Sequence, residues 1–361
     1  MATWLIAILT ALLAAATLAP VSRIPHGFVR VCDFPKLQII ALTIAAAVAT
    51  LVFLPWGTTV IVLVAVQVLI ILVQSVACVR FTPLWRVQSL RFDGTADNPA
   101  VVRILVSNVK MSNRDHGRLI EVVRREAPDF AAFLECDGPW QTALSELKDI
   151  LPHALEHPLD NSYGMIILSR IPFRSAEFRF VFSDEVPSAR IVAETGAGDP
   201  FALYVVHPEP PVPYADTIGR DGELILLARD AKAESLPTIV TGDMNDVAWS
   251  PTTRRFQRLS GLLDPRVGRG FYNSFDARYP LLRWPLDHLF HDPRFRLVRL
   301  ERLPNIGSDH FPMLFELALT SRNGADETPQ AADSEDLEEA REVTQAADNL
   351  DREPIGSDWE K

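Results

Sequence analysis

The run LPTIVTGDMNDVAWSP, from Leu236 to Pro251, carries an apolar, β-branched stretch (Thr238, Ile239, Val240) into Gly242-Asp243-Met244-Asn245. A strand ending this way delivers a carboxylate and an amide at its tip. Asp243 and Asn245 stand two apart, so in an extended chain both point to one side. Ligands of α/β sheets sit just beyond such tips. Alone, the stretch is a turn, since Gly, Asp and Asn are turn formers. The pattern recurs, however. Asn108, Glu135, His207 and the pair Asp309-His310 each follow or open an apolar run. Singly, Asn108 is a turn cap, Glu135 a solvated strand end and His207 a loop histidine. Together they supply carboxylates for a hard divalent cation, amides to orient oxygens, and two histidines to handle phosphate charge and protons.

The elements that must position these groups begin at Val101. VVRILVSN reads as a strand ending at Asn108, and RLIEVVRREA as an amphipathic helix closed by Pro128. DFAAFLE is a strand ending at Glu135, and PWQTALSELKDIL is helical. YGMIILSR, SARIVAE and FALYVVH are strands, GELILLARDAKAE is a helix, and TIVTGDMN, WPLDHLF and SDHFPMLFELAL complete the set. The alternation predicts an α/β or mixed sandwich with helices outside. There is no Gly-rich nucleotide loop and no internal repeat.

These motifs, in this order, resemble the endonuclease/exonuclease/phosphatase superfamily, the fold of DNase I-like nucleases and inositol phosphatases. The resemblance rests on SN at Asn108, FLE at Glu135, YGMIILSRIP, VVHPEPP, TIVTGDMND, PLDHLF and GSDHFP, and spans Val101 to Leu319. It is nearest to bacterial membrane-anchored members with three N-terminal spans, some of them similar to glycopeptide-resistance phosphatases acting on polyprenyl pyrophosphate lipids. It implies a four-layer fold, two packed β-sheets flanked by helices. It also implies roles: Glu135 as the main Mg²⁺ (or Mn²⁺) carboxylate, aided by Asn108 and Asp309, and His310 as the catalytic histidine held in one tautomer by Asp287. Asp243 would orient or deprotonate the attacking water, and Asn245 and His207 would contact phosphoryl oxygens. Met244 stands where a Phe is usual, and the tyrosine or arginine that often lines the phosphate has no direct match, Arg190 being a candidate.

The rest of the chain says where such a site works. Ala2 to Ala19, Leu37 to Leu54 and Thr58 to Val79 contain no charged side chain. Each approaches the roughly 20 apolar residues that span a bilayer as a helix, so residues 1–80 are expected to form a three-helix transmembrane anchor, followed by a link over 81–99 and a catalytic domain over 100–320. The tail from Ser321 to Lys361 carries thirteen acidic against four basic side chains. Its composition predicts an acidic, disordered segment with at most a transient helix. The region 81–320 remains mildly acidic, which disfavours a stable nucleic-acid partner. Three scattered cysteines suggest neither a disulfide framework nor a metal site. Arg23, Arg30 and Lys36 flank the first span and Arg80, Arg86 and Arg91 follow the third, which by the positive-inside rule places the domain in the cytoplasm. The resemblance points to the extracytoplasmic side, the reading taken here. The expected function is a membrane-tethered, Mg²⁺-dependent phosphohydrolase acting on a phosphoester or pyrophosphate of a lipid-linked substrate. An anchored endonuclease or phosphodiesterase and a catalytically silent membrane scaffold are the alternatives.

Overall fold

A computed structural model describes residues 1–22, 24–94, 98–320 and 330–357. Arg23, part of the topology argument, lies outside the described residues, as does the tail over 321–329 and 358–361. The chain begins with α1 (Ala2–Leu18), a single turn α2 (Gly27–Arg30), α3 (Lys36–Phe53) and α4 (Thr58–Cys78). The stretches Ala2–Ser22, Lys36–Phe53 and Thr58–Phe81 are long and apolar enough to cross a membrane. Polar side chains sit inside this bundle. Gln67 Nε2 donates to Thr10 Oγ1 (2.9 Å) and Thr50 Oγ1 (3.1 Å), and Gln74 Nε2 donates to Thr17 Oγ1 (3.0 Å). Buried among apolar side chains, the two amides are satisfied by threonine hydroxyls, and these bonds fix how the three helices are rotated.

The second part runs β1 (Val101–Asn108), α5 (His116–Glu126), β2 (Phe130–Leu134), α6 (Gly138–Leu144), β3 (His153–His157), β4 (Met165–Ser169), β5 (Phe173–Phe180), β6 (Pro187–Glu194), β7 (Pro200–Val206), α7 (Ile218–Ala233), β8 (Thr238–Asp243), α8 (Pro251–Ser260), β9 (Asp287–His291), β10 (Phe295–Arg302), β11 (Met313–Leu319) and α9 (Ser334–Ala347). One sheet has the order β10-β11-β1-β2-β4-β3, the other β5-β6-β7-β8-β9. Alternation along each strand builds the layers. Val102, Ile104 and Val106 of β1 meet Phe201, Leu203 and Val205 of β7 between the sheets. Leu105 faces Leu119, Val123 and Trp140 on α5 and α6, while Ala202, Tyr204 and Val240 face α7 and α8. The expected four-layer, DNase I-like sandwich is present.

The segment after α4 packs against the domain it leads into: Leu297 N donates to Leu90 O (2.8 Å), Phe92 N donates to Leu297 O (2.9 Å), and Phe81 is buried beside Trp249. One expectation is corrected. The acidic tail is not disordered over 330–357. Asp333 caps α9 in a capping box, Ala340 and Ala347 are buried, and Asp336 pairs with Arg258 (2.6 Å). The composition argument weighed the tail's acids alone. The arginines that neutralise them, Arg255 and Arg258, stand on α8.

Candidate active site

Strand register gathers the site. β1 and β2 are parallel with Asn108 opposite Leu134, so Glu135, one step on, lies beside Asn108. β7 and β8 are parallel with Val206 opposite Gly242, which sets His207 beside Asp243. β9 runs antiparallel to β8 with Asp287 opposite Asp243. β11 runs antiparallel to β1, returning Asp309-His310 to the same end, where Phe275 bridges His310. Glu135, His207, Asp243, Asn245, Asp309 and His310 line one cavity of about 350 Å³, within the usual size for a small-ligand pocket. Asn108 stands behind them, its Nδ2 donating to Glu135 Oε1 (2.7 Å) and Asp243 Oδ2 (3.1 Å).

Backbone conformation turns these tips inward. Lys110, Glu135 and Asn245 have φ of 59°, 61° and 51°, and all three line the cavity. Side chains in this left-handed region are sparse and cluster where surrounding structure imposes them. Asn245 is therefore not the extended neighbour of Asp243 that its spacing suggests. Its N–H donates to Asp243 Oδ1 (2.9 Å) in a local turn, and its Nδ2 donates to Pro208 O (2.9 Å). Gly242 has φ 140°, and a Cβ there would lie 1.9 Å from Val206 O, so only glycine fits.

Electrostatics divide the roles. Burial alone would push the His310 imidazole down, but the carboxylates of Asp287 and Asp243 outweigh it and raise the group to about 10. His310 is thus charged at neutral pH, with Nδ1 donating to Asp287 Oδ2 (2.8 Å) and Nε2 3.5 Å from Asp243 Oδ2. His207 behaves oppositely. Burial and the His310 charge lower it to about 3. It is therefore a neutral imidazole rather than a carrier of charge. Glu135 is raised to about 7, chiefly by burial, with Asp309 and Asp243 adding to it, against the Asn108 hydrogen bond and the His310 charge. Asp243 is raised to about 6, again first by burial.

Arg190 is not part of the site. Its guanidinium pairs with Glu234 (2.6 Å) and stacks near Tyr204, outside the cavity lining. The cations beside the site are Lys110, 2.8 Å from Asp309, and Arg278, 3.5 Å from Asp309. Tyr163 lines the cavity against His207. Lys110 lies two residues past Asn108, and Tyr163 opens the YGMIILSR run; those positions were the available signals.

A model of the endonuclease/exonuclease/phosphatase family matches residues 105–310. The chain belongs to the endonuclease/exonuclease/phosphatase family. Membership makes it a metal-dependent hydrolase of phosphate esters. Solved structures similar to this family member include an endonuclease/exonuclease/phosphatase from Beutenbergia cavernae (18% identity, 61% of this chain and 72% of that one, TM-score 0.49). A mannosyl-6-phosphatase of Bacteroides thetaiotaomicron matches at 17% identity over 60% of this chain and 100% of its own (TM-score 0.48). Sphingomyelinase C of Streptomyces griseocarneus matches at 16% identity over 60% and 99% (TM-score 0.46). No curated protein matches the chain.

Proposed function

We propose that this enzyme is a membrane-tethered, Mg²⁺-dependent phosphohydrolase cleaving a phosphoester or pyrophosphate of a lipid-linked substrate on the extracytoplasmic face. One observation carries the reading: a single cavity holds the carboxylate cluster and the charged His310, and its wall includes Phe34, from the loop joining the first two apolar helices. A bilayer lipid headgroup is then held near the site at high effective concentration.

A hard divalent cation fits the donor set. Glu135 stands with Asp243 and Asp309 at one end of the cavity, an oxygen-rich donor set that suits such an ion. Glu135 would hold the ion, with Asn108 and Asp309 assisting. Asp243, Asp287 and His310 also offer ligand atoms within 4.8 Å of one another. A charged imidazole already donating to Asp287 is a poor ligand, so we place the cation at Glu135. When bound, it supplies charge neutralisation at the phosphoryl oxygens.

The remaining work falls to the side chains. Asp287 fixes the orientation of the His310 imidazolium, leaving Nε2–H to face the reacting phosphoryl group. Asp243, between His207 and His310, orients or deprotonates the attacking water. Asn245 and neutral His207 donate hydrogen bonds to phosphoryl oxygens. Phosphoryl transfer rewards such positioning more than covalent help.

The test uses the full chain in phosphatidylcholine nanodiscs. EDTA should abolish hydrolysis of a vesicle-borne lipid phosphate, and Mg²⁺ or Mn²⁺ should restore it. Plasmid nicking should be the slower reaction. Undiminished turnover in EDTA would overturn the metal assignment, and faster nicking than lipid hydrolysis would make the enzyme a nuclease.

A further inference from the structure

We propose that the cavity contains, beside its phosphoryl end, a subsite for the apolar chain of a membrane-embedded phosphate, walled on one side by Phe34 of the helical anchor and on the other by Ile355 of the C-terminal tail. The inference rests on the phosphohydrolase reading for the identity of the headgroup.

The first wall is formed by Phe34 and Phe275, two members of a row of rings. Phe34 packs on Trp284 with centroids 5.8 Å apart, Trp284 on Phe275 at 6.2 Å, and Phe275 on His310 at 4.8 Å. Phe34 stands two residues before the start of α3. A helix of that length, 18 residues at about 1.5 Å each, spans about 27 Å, so its first turn lies at the bilayer surface. The row therefore runs from the membrane interface to the catalytic imidazole. Beside its outer end Gln38, in the first turn of α3, donates to Leu281 O (2.9 Å), and the Leu281 side chain is 85% exposed. A large aliphatic side chain left bare next to a bilayer-crossing helix is suited to lipid contact.

The second wall comes from the tail. Tyr163 donates its hydroxyl to Ile355 O and packs its ring on His207 at 5.7 Å. Ile355 N donates to Glu209 Oε1 (3.0 Å), and Arg352 grips both Glu209 oxygens at 2.7 Å. The fork-to-fork pair holds the strap that carries Ile355. Pro210 and Pro211 add to the apolar lining. A bare phosphate would need only the polar end. The apolar remainder fits a substrate with a hydrocarbon chain attached to the phosphate, whether delivered from the bilayer or as a soluble amphiphile.

Binding tests this without depending on turnover. Methyl phosphate and dodecyl phosphate are titrated calorimetrically into the full chain in phosphatidylcholine nanodiscs with Mn²⁺, with empty nanodiscs as the partition control. Dodecyl phosphate should bind at least tenfold more tightly than methyl phosphate. Phe34→Ser and Ile355→Asn should each cut that advantage at least fivefold, while Phe34→Leu should retain it. Repeating the titration in a maltoside micelle separates bilayer delivery from a soluble amphiphile: loss of the advantage there assigns delivery to the bilayer. Equal affinity for the two phosphates after correction for partition overturns the subsite. So does an advantage unmoved by both polar substitutions with melting temperatures intact. Failure to hydrolyse any phosphate ester with this binding pattern intact would overturn the phosphohydrolase reading and leave the subsite standing.

Discussion

His310 is a residue on which large opposing forces act, and the carboxylates win. Burial disfavours its charge, and the carboxylates of Asp287 and Asp243 restore it. His310→Ala should lower kcat about 10³-fold, in the range for loss of a general acid or base. Asp287→Asn should cost less, because the imidazole stays packed on Phe275. Steady-state rates on a nitrophenyl phosphodiester, with circular dichroism to confirm folding, check both. Near-normal rates in His310→Ala would remove it from the mechanism.

Among elements, the loop between α1 and α3 is the one whose role the sequence hides. A Cβ on Gly27 would lie 1.8 Å from Val212 O, and Gly27 N donates to Ala215 O (2.8 Å). Gly27→Ala should force the loop off Val212 and lower stability by about 1–3 kcal/mol, the usual cost of overpacking. Gly57→Ala, where a Cβ meets nothing within 4 Å, should be silent. Thermal unfolding of the two variants in detergent gives the comparison. The same contrast explains what was legible. Asn108, Glu135, His207, Asp243 and Asp309-His310 were readable because each punctuates an apolar run, and parallel or antiparallel registry then carries such tips to one end. Phe34 and Ile355 were not, because their place depends on how separate elements pack. The strands β3, β5 and β10 were missed for a related reason: their faces are half exposed and carry charges, so no clean alternation marks them. The tail's helix was misjudged because its partners lie on α8.

For the molecule as a whole, acid sensitivity follows from buried neutral histidines. Burial and the Arg266 charge lower His288 to about 3, and burial lowers His291 to about 4. Unfolded, each would titrate near 6.5. Their contribution is therefore complete above about pH 6.5 and is lost as pH falls toward 4. At pH 5 each costs about 2 kcal/mol relative to neutral pH. Glu223, raised to about 8 by burial and the Glu209 charge, works in the opposite direction over part of this range. The discriminating measurement is thus a difference. Denaturant unfolding between pH 5 and 6.5 should show His291→Gln losing stability with falling pH less steeply than the parent, by about 1 kcal/mol per unit. Parallel slopes would mean that His291 is protonated in the folded state.

One buried contact at the junction has a practical consequence. Asp33 is 2% exposed, its carbonyl accepts from Trp249 Nε1 (2.7 Å), and its carboxylate pairs with Lys36 (2.9 Å). Trp249 sits four residues past Asn245, and Arg220, whose NH1 donates to Asn245 O (3.0 Å), is held by Asp221 (2.8 Å). A protein trimmed at residue 80 to ease purification would leave the Trp249 indole without its acceptor and strip the neighbouring ring of Phe34 from the cavity wall. Rates measured on such a fragment would describe a widened pocket with a loosened floor. Screening substrates on the intact chain in a lipid environment is the way to learn what this enzyme prefers.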